Sequence, residues 1–525
     1  MQLEKFPLAD THAFNSFFLD YIHQKETLKP FYNRFPETES FASQIRDKKA
    51  SFSNETREVL VNVLQRQYND IDASDLLTKN IARLKEQNTF TVTTGHQLNI
   101  FTGPLYFIYK IVTVINACKR LKELYPAENF VPVYWMASED HDYDEIKYFR
   151  LYGKKYIWKT SQKGAVGRFS PNGLADLMNE LPGDTSIFFE AYTKNKTLSD
   201  AVRHYVNSLF GHEGLVVVDA DDRELKKVFA PVIKADILDN TYKPCVDKTT
   251  AALENLGYKS QVHCRDVNFF YLDEGVRGRI ERAGDVFKVI DTTLTFTTGQ
   301  VQSLIAEQPE KFSPNVILRP LYQEMILPNL AYVGGPAEVV YWLQLKQVFN
   351  INNVPFPILM PRNFAMVIPN EVERKFSKTG LNIKDIFEEK NYLFNHWVLR
   401  HSPRNLTVTA ERNSISALFE QLRSRAEQVD KTLAPFVGAE GKRTLNSLKK
   451  IERKLLRAEK RLHADKLRQI EFVKDALFPN GSLQERTDNF LNFYQEDNSF
   501  VDRLLGTMDA FDFRFHVYRL PSGKS

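Results

Sequence analysis

The sequence predicts an α/β fold: a parallel-sheet core carrying insertions, followed by an antiparallel α-helical coiled coil. Three observations predict it. A short β-branched run, a long apolar helix and a second apolar run follow one another within about fifty residues. Buried strands of the same kind return further along the chain. Strand signals then vanish after about residue 405, where heptad-like spacing takes over.

Residues 1 to about 87 read as helices with loops, because Phe14, Phe17, Phe18 and Tyr21 share one helical face and Val59, Leu60, Val63 and Leu64 another. Phe90 to Thr94 is a strand that runs into the turn Gly95-His96-Gln97. After Thr102-Gly103-Pro104 a helix carries Ile108, Ile111, Val112 and Ile115 on one side, and Phe130 to Met136 is the next strand. Such a βαβ unit implies parallel strands joined by a right-handed crossover. Gly214 to Asp219 reads as a buried strand with a helix from about Asp222, and 262–290 alternates like the hairpins of an inserted module. Asn315 to Pro320 has buried-strand character, Ala331 to Pro336 is a strand-to-helix turn, and Phe356 to Met360 is a last strand. Beyond it, Ile415, Leu418, Leu422 and Val429 fit one seam and Leu448, Ile451, Leu455, Ala458 and Leu462 a second. Gly438 and Gly441 read as the stop between them. The expected units are 1–150 (helices and first half of the core), 151–245 (insertion and further core), 246–314 (inserted β-rich module), 315–405 (second half of the core), 406–476 (coiled coil) and 477–525 (a segment packing back on the core).

Composition narrows the function. With 525 residues, 43% hydrophobic and 26% charged, the chain is globular and long enough for two to four domains. Three cysteines, Cys118, Cys245 and Cys264, neither build a disulfide scaffold nor show zinc spacing. No secretory signal opens the chain, and its best apolar stretch, Leu105 to Cys118, is interrupted by Lys110, so a cytoplasmic protein without a membrane span is expected. Net charge is +4, yet Lys442 to Lys474 holds twelve Lys/Arg against four Asp/Glu. That run lacks interleaved aromatics and reads as a solvated coiled-coil face rather than a nucleic-acid platform.

Three turns carry candidate chemistry. Thr94-Gly95-His96-Gln97 through Gly103 follows the first sheet strand, where α/β proteins bind ligands. Its glycines permit close approach, the helix start offers N–H groups and His96 can donate to a phosphate. Glu139, Asp140, His141 and Asp142 follow Trp135 at the end of the second strand. Three carboxylates beside an imidazole repel unless a cation or amine sits among them, so this turn suits an ammonium, a nucleophilic amine or Mg²⁺. Tyr332, Gly334, Gly335 and Glu338, with Trp342 one turn on, form a third strand-to-helix turn. Lys375 to Thr379 mimics a phosphate-gripping lysine-serine loop but reads as part of a helix ended by Gly380, and His263-Cys264 with Cys245 reads as core rather than metal site.

With these residues assembled, the sequence resembles the bacillithiol-biosynthesis cysteine-adding enzymes, the cysteine ligase family. The resemblance rests on TGHQLNIFTGPLYFIYK (94–110), PVYWMASEDHDYDEI (132–146), the stretch from Asn315 to Lys346, MPRN (360–363) and LFPNGSLQER (477–486). It implies a Rossmann-like core related to class I aminoacyl-tRNA synthetases, connecting-peptide insertions and a homodimer through the coiled coil. It also implies a ligase that adds L-cysteine to glucosaminyl-malate and holds an adenine nucleotide; ATP (or bound ADP) is the expected nucleotide, and Mg²⁺ is expected only as one candidate ligand of the acidic turn. Carried over by position, nucleotide would lie near Arg362, Asn363, Asn480, Gly481, Gln484 and Arg486. No His-x-Gly-His pair and no lysine-serine loop accompany these motifs, a departure from the synthetase pattern. The expected mechanism activates cysteine's carboxyl with ATP, as an adenylate. Glu139 or Asp140 would handle the amine proton, His96 and the helix start after Gly103 phosphate charge, and Asp142 or Glu338 the cysteine ammonium; Trp135 and Trp342 would wall the pocket. Two other readings remain: an RNA-binding synthetase-like enzyme, and a nucleotide-sensing coiled-coil scaffold without catalysis.

Overall fold

A computed structural model describes residues 2–520. Its centre is a five-stranded, wholly parallel sheet of β1 (Thr89–His96), β2 (Asn129–Met136), β3 (Val216–Asp219), β4 (Asn329–Gly334) and β5 (Ile358–Pro361). Their spatial order is 3-2-1-4-5. The strand order reverses between β1 and β4, and a doubly wound sheet opens its ligand crevice at that point, outside the carboxyl ends of the strands. The opening is visible in the register. Backbone pairing of β1 with β4 ends at Thr93 and Tyr332, and the Thr94 hydroxyl then donates to the Val333 carbonyl at 2.7 Å. At the other end, the Thr91 and Thr93 hydroxyls both donate to Asn329 Oδ1, locking the two strands together.

The crossover from β1 to β2 is α1 (Tyr106–Leu124), most of which is buried, including Lys110. It starts after Gly103, whose φ of +63° and whose contact with Asn99, 2.5 Å from where a Cβ would stand, leave no room for a side chain. The inserted module is an antiparallel sheet made mainly of Phe269–Asp273, Val276–Ala283 and Val286–Val289. Asn315 to Pro320 is not a strand. A short strand, Phe312–Pro314, leads into a turn in which Asn315 Oδ1 accepts from the Ile317 N–H, and the helix Arg319–Ile326 begins with Pro320 in its first turn. A second sheet joins the chain ends: Gln2–Phe6 pairs with Phe515–Arg519, which pairs with Phe364–Ile368.

The coiled coil is a hairpin of Thr409–Val429 and Leu433–Leu462, followed by Ala464–Leu477. Its turn lies at residues 430–432, and the second helix runs straight through Gly438 and Gly441. Gly441 serves packing instead of termination: the Phe419 ring of the facing helix lies 2.9 Å from where its Cβ would be. A glycine costs a helix interior about 1 kcal/mol, and the close approach of the two helices offsets it. Gly441→Leu should force the helices apart and cost about 1–3 kcal/mol, read as a lowered transition when the helical signal is followed on heating. Lys375 lies on the helix Asn370–Phe376, where it pairs with Glu371 at 2.9 Å.

Candidate active site

A cleft of about 710 Å³ lies at the β1/β4 switch point. The turns after β1, β2 and β4 form its floor: Gly95, His96 and Gln97; Glu139, Asp140 and His141; Gly335 and Glu338. The inserted module supplies one wall through Arg265, Phe270 and Arg277. Arg319, which also lines a small adjoining cavity, Arg362 and Arg486 complete the lining.

The acids of the cleft are already engaged. Glu338 takes Lys110 at 2.5 Å, the Tyr332 hydroxyl at 2.6 Å and the Gly335 N–H at 2.8 Å. Lys110 also donates to the Gly95 carbonyl at 2.8 Å, so one buried ammonium couples the β1 and β4 turns. Burial pushes the Glu338 carboxyl up, and Lys110 with the two hydrogen bonds outweighs it, leaving the group below its ordinary value. Glu338 is thus held in the floor by Lys110, Tyr332 and the Gly335 N–H.

Glu139 and Asp140 are neighbours with opposite environments. Glu139 Oε1 accepts from Lys226, a fully buried lysine that also donates to the Phe312 carbonyl. Burial raises the Glu139 carboxyl despite that charge. Asp140 accepts from Gln97 at 3.2 Å and from Arg277 at 3.4 Å, and its Oδ1 caps the His141 N–H at 2.8 Å. Burial would raise it too, but hydrogen bonding at His141 and the charges of Arg277 and Arg319 hold it well below the carboxylate range. Adjacent acids pushed apart in this way divide labour: the raised one suits proton transfer and the depressed one a permanent negative charge.

His96 packs beside Tyr106 and Phe107, with ring centroids 5.3 and 5.0 Å away. Burial and the nearby Lys110 charge push its imidazole down to about 3, so it is neutral near pH 7. Its Nε2 is buried without a hydrogen-bond partner.

Other sequence candidates stand outside the cleft lining. Thr94 is buried in the β1–β4 contact and Gly103 sits in the turn before α1. Asp142 is exposed on the loop beyond the cleft. Gly334 is packed against Glu338 and the Tyr332 ring. Tyr332 stacks on Trp342 at 4.5 Å, and both wall a small annex of the cleft rather than the cleft itself. The start of α1 is partly taken by the protein: Leu105 N–H donates to the Asp488 carbonyl, and Asn489 holds the carbonyls of Phe101 and Gly103. Among the expected nucleotide residues, Arg362 and Arg486 line the cleft. Asn363 is instead buried against Thr113 and the Asp509 carbonyl, and Gln484 pairs with the backbone of Val367. Asn480 adopts a left-handed turn beside Gly481, which lines a second cavity of about 470 Å³ with Lys390 and Lys474.

Sequence reasoning missed Lys110, Lys226, Arg265, Arg277 and Arg319. Only Lys110 had a local signal, as the lone charge in the apolar stretch from Leu105 to Cys118. Lys110 pairs with Glu338, Lys226 with Glu139, Arg277 with Asp140, and Arg362 bidentately with Glu485 at 2.6 and 3.0 Å. Arg265, Arg319 and Arg486 form no ion pair among the described residues, so the cleft carries a cationic surplus.

Fold and site together define a Rossmann-like α/β protein with a cation-rich ligand cleft at its switch point and an appended coiled coil. Comparison with known proteins gives the particular family. Residues 1–363 match the N-terminal Rossmann-like domain of bacillithiol biosynthesis BshC and residues 365–520 its C-terminal coiled-coil domain; the chain belongs to this family. It is 41% identical over 515 residues to a Flavobacterium johnsoniae protein named "Putative cysteine ligase BshC", covering 96% of this chain and 97% of the relative. Proteins of the same name from Cytophaga hutchinsonii (38% identical, 98% of each chain) and Bacillus anthracis (27%, 95% of this chain and 97% of the relative) are also similar. No helix among the described residues is long and apolar enough to cross a membrane.

Proposed function

We propose that this chain joins the carboxyl of L-cysteine to the amine of glucosaminyl-malate, forming an amide at the expense of ATP. The observation that carries the reading is the cationic surplus of a switch-point cleft whose own acids are already paired. Malate contributes two carboxylates and ATP a polyphosphate, and such ligands supply the missing negative charge. The names of the relatives and the family's place in bacillithiol biosynthesis support the same reading. The strand order and the position of the cleft support kinship with class I synthetases.

Arg265 and Arg486, which line the cleft without an ion-pair partner among the described residues, fit phosphate or malyl oxygens. ATP supplies the leaving group that a free carboxylate lacks. Glu139 takes the proton that the attacking amine must lose, with Lys226 holding the carboxylate in place. Among the described residues no group of three or more His, Cys, Asp or Glu side chains is arranged to hold a metal ion, so Mg²⁺ would arrive on the nucleotide phosphates rather than in a protein cage. A small-molecule ligase that consumes ATP works in the cytoplasm.

The test combines the chain with cysteine, ATP and glucosaminyl-malate and follows the thiol product by mass spectrometry. With cysteine labelled by heavy oxygen in its carboxyl, one labelled oxygen should appear in the nucleotide or phosphate product. Label that stays wholly with cysteine and its product, or absence of product, contradicts the reading.

The coiled coil is proposed as a homodimer interface. Leu418, Leu422, Ile451, Leu455 and Leu462 stay 39–68% exposed on the hairpin, an apolar seam that one chain leaves uncovered. Leu455→Glu should convert dimer to monomer in sedimentation experiments, with helical content unchanged. A variant that sediments like the parent would rule out this seam.

A further inference from the structure

We infer that the part of the cleft carrying Arg319 is the cysteine subsite, in which Arg319 takes the α-carboxylate, Asp140 the ammonium, and a small annex beside His96 the thiol. This rests on the ligase reading above and assigns its amino-acid half to particular atoms.

The geometry favours a small zwitterion. Arg319 lines both the main cleft and the annex and has no carboxylate partner among the described residues. Its neighbouring side chains are the hydroxyls of Tyr341 and Tyr332, with Asp140 close enough for their charges to interact. A fixed guanidinium and a fixed carboxylate facing one cavity complement the two charges of an α-amino acid. Neither charge alone distinguishes cysteine from its relatives.

The annex makes that distinction. It adjoins the cleft through Gly95, His96, Trp135, Ala137 and Arg319, and Tyr332, Tyr341 and Trp342 close it. Its free volume is about 10 Å³, which on the same measure admits about one water-sized group. A single sulfur fits; an added methyl overpacks walls that are themselves buried, since Trp135 stacks edge-on against Tyr322 at 5.4 Å and Trp342 lies flat on Tyr332. The buried, unpartnered Nε2 of His96 offers the sulfhydryl one polar contact. Pro320 and Gln323 complete the lining, and the rings of Trp135, Tyr332, Tyr341 and Trp342 offer a sulfur polarisable contacts.

Calorimetric titration of L-cysteine into the full chain and into Arg319→Gln and Arg319→Lys tests this, alongside titration of S-methyl-L-cysteine into the unaltered chain. Arg319→Gln should weaken cysteine binding about ten-fold or more, with Arg319→Lys between it and the parent. In steady-state ligation the KM for cysteine should rise while that for glucosaminyl-malate stays within about two-fold. S-methylcysteine should bind about ten-fold more weakly than cysteine. Unchanged cysteine binding in Arg319→Gln, a KM effect confined to glucosaminyl-malate, or equal affinity for the S-methyl compound would overturn the assignment. The last comparison needs no variant and so does not depend on how Arg319→Gln folds. Cysteine bound through Arg319 without any ligation would sink the ligase reading alone. Ligation with cysteine binding indifferent to Arg319 would sink the subsite alone.

Discussion

Replacing Glu139 by Gln will lower kcat about 10²- to 10⁴-fold, the usual worth of a positioned general base, while leaving the KM for cysteine within a few-fold. The amide keeps the shape of the carboxylate and loses only its ability to accept a proton. Two features single this acid out: it lines the cleft, and burial holds its carboxyl above the ordinary value. The sign of the pH dependence follows. A base works only when deprotonated, so activity of the parent should fall as pH drops through the raised Glu139 pKa. That acid limb should lie above pH ~4.3, where an unperturbed glutamate titrates. In Glu139→Gln the limb should disappear from the residual rate. Asp140→Asn should behave differently, because the neighbouring acid carries a permanent charge: KM for cysteine should rise more than kcat falls. Loss of the acid limb in Asp140→Asn and its retention in Glu139→Gln would exchange the two roles.

Glu485→Ala should destabilise the chain by about 3–5 kcal/mol, the cost of stranding one member of a buried ion pair. Arg362 and Glu485 are 2% and 1% exposed, and Glu485 also accepts the Ala365 N–H at 3.0 Å. The pair therefore pins the segment carrying Arg486 to the strand Phe364–Ile368 and to the cleft. Thermal and denaturant unfolding should both show the loss. The double variant Arg362→Leu/Glu485→Leu should recover most of the stability, because it removes both charges from the interior instead of one. Failure of the double variant to recover would mean that the remaining hydrogen bonds, not the charges, hold this segment.

Much of the core was legible because its signals are local. A β-branched run before Gly95, an apolar helix and the run ending at Trp135 read as β1, α1 and β2 from period alone, and strand ends in such a fold are where ligands sit. His96, Asp140 and Glu338 were found that way, and the structure brings their turns to one cleft. What a side chain does there depends on partners far away in sequence. Glu338 looked free until Lys110 was seen beside it, and Glu139 differs from Asp140 through Lys226 and Arg277, which come from a helix and from the inserted module. The sheet of the chain ends was invisible for a similar reason: Gln2 pairs with Arg519, and no local pattern marks strands that meet across the whole chain. Gly441 misled because helix propensity is a weak preference, and the contact with Phe419 overrides it.

One cleft at the β1/β4 switch point is proposed to host amide synthesis. The most direct measurement incubates the parent chain and Glu139→Gln with cysteine, ATP and glucosaminyl-malate and compares the thiol conjugate formed. Abundant conjugate from the parent and about 1% or less from the variant is the predicted result. Equal conjugate from both proteins, or none from the parent, would contradict it.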